Sequence, residues 1–328
     1  MKMLAAWFLL AFGAQAGSGA RMLLYVDNSL GDDLSVIDLS AMKVVDTIRV
    51  GKEPHGLCAP ADGRSVFVTI ESENNLKVID TRTGKVTAAI PVSGRPNECA
   101  ATPDGRYVGV PIRNGNSLDI VDMRAKKVVK VLPVKEPHNC FNAGSNDELY
   151  VSSMGNHEID VVNLKTMTFS AEVPVGGIPR PYAVTSDGKT IYSAVTGLHG
   201  FVVSSVPERK VMERVTLPAA PPLDCPLEVN TPTHGLALTP DESKLWVTSL
   251  ADGGLYVWDV VTKKTSPIIP VGKCPNWITF SPDGKYGVVS NSDDNNASIL
   301  DAVSAEEVAR VKVGKGPKRV LVVRVPAA

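Results

Sequence analysis

The chain is organised around the stretch Glu53-Pro-His-Gly-Leu-Cys-Ala-Pro-Ala-Asp-Gly-Arg64, which returns six more times in altered form. Each copy has a proline or threonine followed by a polar residue, and all but the last continue to a turn on Asp, Asn or Ser. The turn residue recurs after 42, 41, 42, 54 and 42 residues, at Asp62, Asp104, Ser145, Asp187, Asp241 and Asp283. A single insertion of 12 residues therefore interrupts an otherwise regular repeat, and it lies between Ser205 and His234.

The repeat period indicates the architecture. Repeats of about 40–45 residues with four short strands each are typical of propeller blades. Within one repeat the apolar residues alternate, as in Val86, Ala88 and Ile90, and no repeat contains ten residues with helical spacing. The sequence therefore predicts an all-β fold, a seven-bladed β-propeller with four-stranded antiparallel blades.

The two ends of the repeat complement each other. We name the strands of a blade a to d from the channel outward; seven b strands can then be counted, and the first has no a strand before it. Residues 318–325 have the pattern of an a strand with nothing after it. We expect this C-terminal strand to pair into the first blade, because closure leaves no long unpaired sheet edge.

Several b strands resemble those of the YVTN-repeat family, exported bacterial seven-bladed propellers with WD40-like blades. The matching segments are Tyr25-Val-Asp-Asn28, Trp246-Val-Thr-Ser249 and Val288-Val-Ser-Asn291, together with the Val-Ile-Asp of Val36-Ile37-Asp38 and Val78-Ile79-Asp80. The resemblance covers residues 21–328 as one domain. It implies the fold rather than the function, because family members include binding proteins and relatives of lactonases and of haem-binding nitrite reductase domains.

The chain departs from the family pattern at two places. Pro111 interrupts a b strand, and Ser204-Ser205 replaces the Ile-Asp pair. We expect these departures to weaken blades three and five.

Residues 1–20 predict an export signal. Lys2 supplies a positive start, residues 3–12 are apolar, and Ala14-Gln15-Ala16 is a small-x-small cleavage site. We expect cleavage after Ala16 and a periplasmic or secreted product; the alternative is a buried first strand. The apolar run is shorter than the ~20 residues that span a bilayer, so we expect no membrane span in the mature chain.

Composition limits the class of partner. The formal net charge is −1 and 21% of residues are charged, so there is no basic excess to bind nucleic acid. The 44% hydrophobic content fits a compact soluble domain, which we expect to be a monomer.

The residue seven before each turn position begins the innermost strand. All seven residues at this position, here called the ring, are polar or charged: His55, Asn97, His138, Arg180, His234, Asn276 and Lys318. Because d–a and b–c loops share one face of the disc, the ring should lie at the loop-rich mouth of the channel, where propeller ligands usually bind. The alternative is that a wet channel mouth needs only polar side chains.

All five histidines are predicted on this face, since His157 and His199 lie in b–c loops. Neutral imidazole binds zinc, copper or iron, so a transition metal or haem could use His55, His138 and His234 across the channel. Against a metal, the spacing matches no local motif and the ring could hold the imidazoles too far apart.

The mouth loops suggest a division of charge. Acidic residues lie in blades seven, one and two, at Asp293, Asp294, Asp32, Asp33, Glu71 and Glu73, and basic ones lie in blades three to five, at Arg113, His157 and His199. Such a division would orient a partner. The alternative is ordinary turn composition.

The cysteines allow two disulfides at most, since there are five. We expect Cys58, Cys99 and Cys140 to be buried small hydrophobes. A bridge from Cys225 to Cys274 would pin the proline-rich insertion, residues 219–231, as a rigid wall beside His234 and Asn276, with about 3–4 kcal/mol from unfolded-state entropy.

These patterns predict an exported protein that binds a small molecule or protein partner at the channel mouth through the ring, His157 and His199. A metal- or haem-dependent oxidoreductase or a lactonase-like hydrolase at the same mouth is the alternative. Local catalytic motifs such as a Gly-x-Ser-x-Gly elbow are missing from the sequence, although a triad assembled from separate blades needs no such motif.

Overall fold

The computed structural model describes residues 19–218, 225 and 231–327. The predicted export signal and its cleavage after Ala16 lie outside the described residues, as does the insertion except for Cys225 and Thr231. The described chain forms seven four-stranded antiparallel sheets. This confirms the predicted seven-bladed propeller.

The first four blades contain 16 strands. Blade one has β1 (Arg21–Asn28), β2 (Asp33–Asp38), β3 (Lys43–Arg49) and the C-terminal β28 (Pro317–Val325). Blade two has β4 (Pro54–Cys58), β5 (Ser65–Ile70), β6 (Asn75–Asp80) and β7 (Lys85–Pro91); blade three has β8 (Ala100–Ala101), β9 (Tyr107–Ile112), β10 (Ser117–Asp122) and β11 (Lys127–Pro133). Blade four has β12 (Pro137–Phe141), β13 (Glu148–Ser153), β14 (Glu158–Asn163) and β15 (Thr168–Pro174).

The last three blades follow the same order. Blade five has β16 (Pro179–Val184), β17 (Thr190–Val195), β18 (Gly200–Ser205) and β19 (Lys210–Thr216); blade six has β20 (Thr233–Leu238), β21 (Lys244–Ser249), β22 (Gly254–Asp259) and β23 (Ile269–Pro270). Blade seven has β24 (Pro275–Phe280), β25 (Tyr286–Asn291), β26 (Asn296–Asp301) and β27 (Glu307–Lys312). A single 3₁₀ turn, Glu71–Glu73, is the one helical element in the described residues, so no helix there is long and apolar enough to cross a membrane.

The C-terminal strand closes the circle of seven blades. β28 pairs antiparallel with β1, from Arg21 opposite Val325 to Asn28 opposite Pro317. The closing strand supplies the inner position that the first blade lacks in sequence. Blade one therefore has four strands, like the other six blades.

The hydrophobic core lies between the blades rather than inside any one of them. Between blades one and two, for example, Tyr25 packs with Val66, Val68 and Ile70 in one buried cluster. The alternating apolar residues of each strand face the two neighbouring blades, which explains why both faces of most strands are buried. This packing fixes the radius of the channel and so the distances between residues that face it.

Two blades each contain one short strand. In blade three the innermost strand is reduced to Ala100–Ala101, and one further bridge joins Pro96 to Ile112. Pro111 of the neighbouring strand has no N–H to donate at this point. In blade six the outermost strand is only Ile269–Pro270. The expected weakening of blade five is wrong, since Ser204 and Ser205 pair fully within β18.

Candidate functional site

The ring residues lie where each innermost strand leaves its ladder. In blades two, four, five and six, pairing with the b strand is interrupted across the ring position. A hydroxyl of the b strand replaces the lost bond: Thr69 Oγ1 accepts the Gly56 N–H at 2.8 Å, and Thr248 Oγ1 accepts that of Gly235 at 2.7 Å. Thr69 also donates to the carbonyl of Asn97 in the next blade. The b-strand hydroxyls therefore hold neighbouring ring residues in place.

The ring forms a buried polar layer rather than an open, wet mouth. Arg180 and Lys318 are half-buried, and the remaining five members are less than 9% exposed: His55, Asn97, His138, His234 and Asn276. Neither amide atom of Asn97 has a partner within the described part of the chain. Because an unpaired buried amide costs free energy, the layer keeps hydrogen-bonding capacity that a ligand or water would satisfy.

Glu71 is the anionic centre of one side of this layer. It lies in the 3₁₀ turn, is 5% exposed, and places Oε1 3.1 Å from Nδ1 of His55. Arg95 donates to its Oε2 through Nε at 3.0 Å and through Nη2, and Nη1 of Arg113 lies 3.7 Å from Oε1. Two arginines therefore compensate one buried carboxylate.

Arg319, which is not among the site residues predicted from sequence, lies at the centre of the channel. It is 3% exposed, its Nε donates to Glu98, and its guanidinium carbon is 3.8 Å from the centroid of the Trp277 ring. Nη1 lies 3.5 Å from Asn276 Oδ1, and Nη2 lies 3.4 Å from His55 Nε2. Burial raises the pKa of Glu98, and the adjacent Arg319 opposes that shift. One side chain thus contacts blades two, three and seven.

A signal for these residues was present in the sequence. The position after the ring residue holds Gly56, Gly235 or Pro181 in some blades, but charged or aromatic residues in three others: Glu98, Trp277 and Arg319. Comparing this second position between copies would have selected the charged pair. The repeat copies do not indicate which charged residues meet across the channel.

Asp27 holds the start of the closing strand. Its buried carboxylate accepts the N–H groups of Lys318 at 2.9 Å and of Arg319 at 2.7 Å. Burial raises its pKa to about 8, against the lowering effect of Arg319. The closing strand is therefore anchored by side-chain contacts as well as by its ladder.

His138 and His234 have one ring nitrogen bound and one free in the described part of the chain. Nδ1 of His234 donates to the carbonyl of Asn276 at 2.7 Å, which leaves the lone pair on Nε2. Nδ1 of His138 lies 2.5 Å from Asn139 Oδ1. Burial lowers the pKa of His138 to about 3 and that of His234 well below its usual value, with Arg319 acting in the same direction. Both imidazoles are neutral at pH 7.

We expect His138 to make the fold sensitive to acid. Its pKa is about 3 in the folded protein and 6.5 in an unstructured peptide, so below pH 6.5 the unfolded chain binds a proton that the folded chain does not. The free energy of unfolding should then fall by up to about 1.4 kcal/mol per pH unit on acidification. In urea titrations, His138→Gln should reduce this slope, whereas His157→Gln at an exposed position should not. Equal slopes for all three proteins would contradict the assignment.

Three cationic side chains lie near the histidines of the ring: Arg113, Arg180 and Lys318. Burial lowers the pKa of Arg180, and Arg113 adds to that effect; burial likewise lowers the pKa of Lys318. Arg180 donates from Nε to Thr196 Oγ1 at 2.7 Å. Neither Arg180 nor Lys318 forms an ion pair with a carboxylate in residues 19–218, 225 and 231–327. The mouth therefore has positive charge in excess of its buried carboxylates.

The expected metal site at His55, His138 and His234 is not formed. In the part of the chain that the structure describes, no group of three His, Cys, Asp or Glu side chains is close enough to hold an ion. His55 is also occupied on both sides, by Glu71 and Arg319. The described residues therefore provide no metal site with three protein ligands.

His157 and His199 are not part of the ring layer. His157 is exposed in its loop. Nδ1 of His199 donates to the carbonyl of Pro218 at 2.6 Å, and its Nε2 lies 3.1 Å from both Ser249 Oγ and Asp252 Oδ2. A catalytic triad needs the acid and the nucleophile on opposite ring nitrogens, and here both contact Nε2. These contacts instead join blades five and six.

The charge division of the mouth stays a prediction. Three of its acidic residues also bind nearby backbone: Asp32 accepts the N–H of Glu53, Glu73 that of Lys52, and Asp294 that of Lys273. Such contacts are the ordinary role of acidic residues in turns, which is the alternative interpretation.

The structure contains two disulfides. One joins Cys225 and Cys274, with Cα atoms 5.6 Å apart, but the wall expected from the insertion lies outside the described residues. The other joins Cys58 and Cys99, with Cα atoms 5.8 Å apart, so the expectation that both are unpaired hydrophobes is wrong. It failed because these cysteines occupy different positions in their repeats and meet only through the packing of adjacent strands. Cys140 is a buried free thiol, as expected.

Comparison with known proteins supports the fold most strongly. No protein-family model matches the chain, so membership of the YVTN-repeat family stays a prediction. Antigen Lp49 of Leptospira interrogans is 28% identical over 157 residues, which is 46% of this chain and 32% of that protein. The chain thus matches about a third of the length of this relative.

Solved structures of other proteins support the same propeller fold. The dihydro-haem d1 dehydrogenase NirN in complex with DHE has a TM-score of 0.67 at 17% identity, over 91% of this chain and 74% of that one. A putative 6-phosphogluconolactonase from Bacteroides uniformis has a TM-score of 0.75 at 15% identity, over 93% and 100%. At such identities the likeness establishes a propeller and leaves the function open.

Proposed function

We propose that this chain is an exported binding protein that holds an anionic small molecule at the loop-rich mouth of its channel. The observation that carries the proposal is the excess positive charge there. Arg180 and Lys318 belong to the ring layer and pair with no carboxylate among the described residues, and Arg113 is a second arginine at Glu71, which Arg95 already compensates. Glu98 is paired with Arg319. Carboxylate or phosphate groups are the natural partners of such cations.

The layer beneath the cations supplies selectivity. Neutral His138 and His234 and the unpaired amide of Asn97 offer hydrogen bonds without adding charge. Groups that are buried and already oriented reject ligands that leave them unpaired. A ligand with an anionic group and a polar body therefore fits better than a bare anion.

We expect citrate and inorganic phosphate to bind in low-salt calorimetric titrations. Arg113→Gln and Lys318→Gln should each weaken binding about tenfold or more, because one charge-assisted hydrogen bond contributes about 1.5–3 kcal/mol. Lys312→Gln, which removes an exposed charge from the last residue of β27, is the matched control. The proposal fails if neither anion binds, or if all three variants bind as the parent does.

A haem-dependent oxidoreductase is the second candidate, favoured by His234. Its Nδ1 is held by a main-chain carbonyl and its Nε2 is free among the described residues, which is the arrangement of a haem-ligating imidazole. Haem would supply redox chemistry when bound, and the cations of the mouth would pair with its carboxylates. The similarity to NirN agrees with this candidate but concerns the fold alone.

Titration with ferric haem separates the two candidates. A haem protein should develop a shifted Soret band that His234→Gln abolishes and His157→Gln leaves intact. An anion-binding protein without haem function should show no shifted band and yet bind citrate.

Export and a monomeric state belong to the same proposal. Two disulfides support an oxidising compartment, since such bonds are rare in the cytosol. The closing strand gives blade one its fourth strand, so no blade in the described residues is left incomplete for a strand of a second copy to fill.

A further inference from the structure

The channel has a second compartment on the other side of the Glu98–Arg319 pair. It is a cavity of about 420 Å³ whose inner end includes Glu98 and Trp277. Its outer end reaches Ser186 and Pro240, which are exposed and lie in the hairpins between a and b strands. The cavity therefore opens on the face opposite the loop-rich mouth.

The wall of this compartment is apolar. Six side chains from five blades converge on it and are only half-buried, so they present apolar surface to the cavity: Ala59, Phe141, Ala237, Leu238, Phe280 and Leu321. A cavity of this size falls within the range of small-molecule sites, which is about 300–1,000 Å³. Filling it would remove apolar surface from water, which is the main driving force for such binding.

The polar atoms that line the cavity are mostly occupied by the protein. Tyr182 donates its hydroxyl to the carbonyl of Tyr150 at 2.8 Å, and Asn142 uses both amide atoms within its own hairpin. Glu242 accepts the N–H of Ser186, and Glu98 is paired with Arg319. The hydroxyl of Thr279 is left without a partner among the described residues. The cavity thus offers dispersion contacts and very few hydrogen bonds.

The charges at this cavity disfavour anions. Its charged lining residues are Glu98 and Glu242, and no lysine, arginine or histidine lines it in the described part of the chain. The same ligand chemistry therefore does not suit both compartments. The mouth is cationic and polar, whereas this cavity is apolar with two carboxyl groups.

We propose that this cavity is a second ligand site, which takes an uncharged, mainly apolar small molecule entering from the hairpin face. The ligand body packs against Phe141, Leu238 and Phe280, and one hydroxyl or carbonyl group reaches Thr279. The Glu98–Arg319 pair and Trp277 form the floor and separate this ligand from the mouth. The site does not depend on the function proposed for the mouth.

The test uses N-phenyl-1-naphthylamine, an uncharged apolar fluorophore that brightens in apolar surroundings. The full mature chain should bind it saturably at one site, with energy transfer from tryptophan because Trp277 lines the cavity. Ala237→Phe should weaken binding about tenfold or more by filling the cavity. Ala125→Phe, in an exposed turn between β10 and β11, is the matched control and should bind as the parent does.

Two further variants separate failure of this site from misfolding and from failure of the mouth proposal. Ala59→Phe fills the cavity from another blade and replaces Ala237→Phe if that variant melts at a lower temperature. Lys318→Gln should leave fluorophore binding unchanged, so failure of the mouth proposal does not affect this test. The inference is overturned if binding does not saturate, if both cavity-filling variants that fold bind like the parent, or if Ala125→Phe loses binding equally.

Discussion

Arg319→Met should lower the free energy of unfolding by about 3–5 kcal/mol, since it leaves the Glu98 carboxylate buried without its partner. Both side chains are nearly inaccessible, at 3% and 4% exposure, so the lost contact is poorly replaced by water. The variant also loses the stacking of the guanidinium on Trp277. Denaturant titration followed by circular dichroism would measure the loss.

Two controls decide what the loss means. Arg324→Met removes an exposed arginine from the same strand and should change stability little. The double variant Glu98→Leu with Arg319→Met should recover part of the loss, because it removes the unpaired charge. If Arg319→Met and Arg324→Met unfold at the same midpoint, the buried pair does not organise the channel.

Deleting residues 317–328 should prevent cooperative folding of the propeller. The deletion removes β28, which pairs with β1 and buries four valines: Val320, Val322, Val323 and Val325. Their burial alone contributes about 6–12 kcal/mol, at about 1.5–3 kcal/mol each. That is comparable with the whole stability of a domain, which is about 5–15 kcal/mol.

A shorter deletion is the matched control. Removing residues 326–328 leaves the strand intact, and the described residues Pro326 and Ala327 are exposed. This variant should melt as the parent does. The closure argument would be wrong if the longer deletion also melted at the parental temperature.

The repeat alone determined the architecture. A constant period carries the register of the strands, so it predicted the number of blades, the pairing of the last strand with the first blade, and the placing of His55 and all its equivalents except Asn97 on the innermost strands. This worked because strand pairing and blade packing are set by local apolar alternation, which every copy repeats. The glycine of the Asp-Gly hairpin shows the same local control, with φ of 64° at Gly63 and 67° at Gly105.

The contacts of the candidate site were decided by the tertiary structure. Arg319 reaches Glu98 from 221 residues away, Cys58 bonds to Cys99 from a different repeat position, and the three ring histidines do not form a metal-binding group. The period places each residue on its strand but does not contain the radius of the channel or the lengths of side chains that cross it. Those distances follow from how seven blades pack, and they determine which charges pair, which amides stay unpaired, and where the channel is apolar.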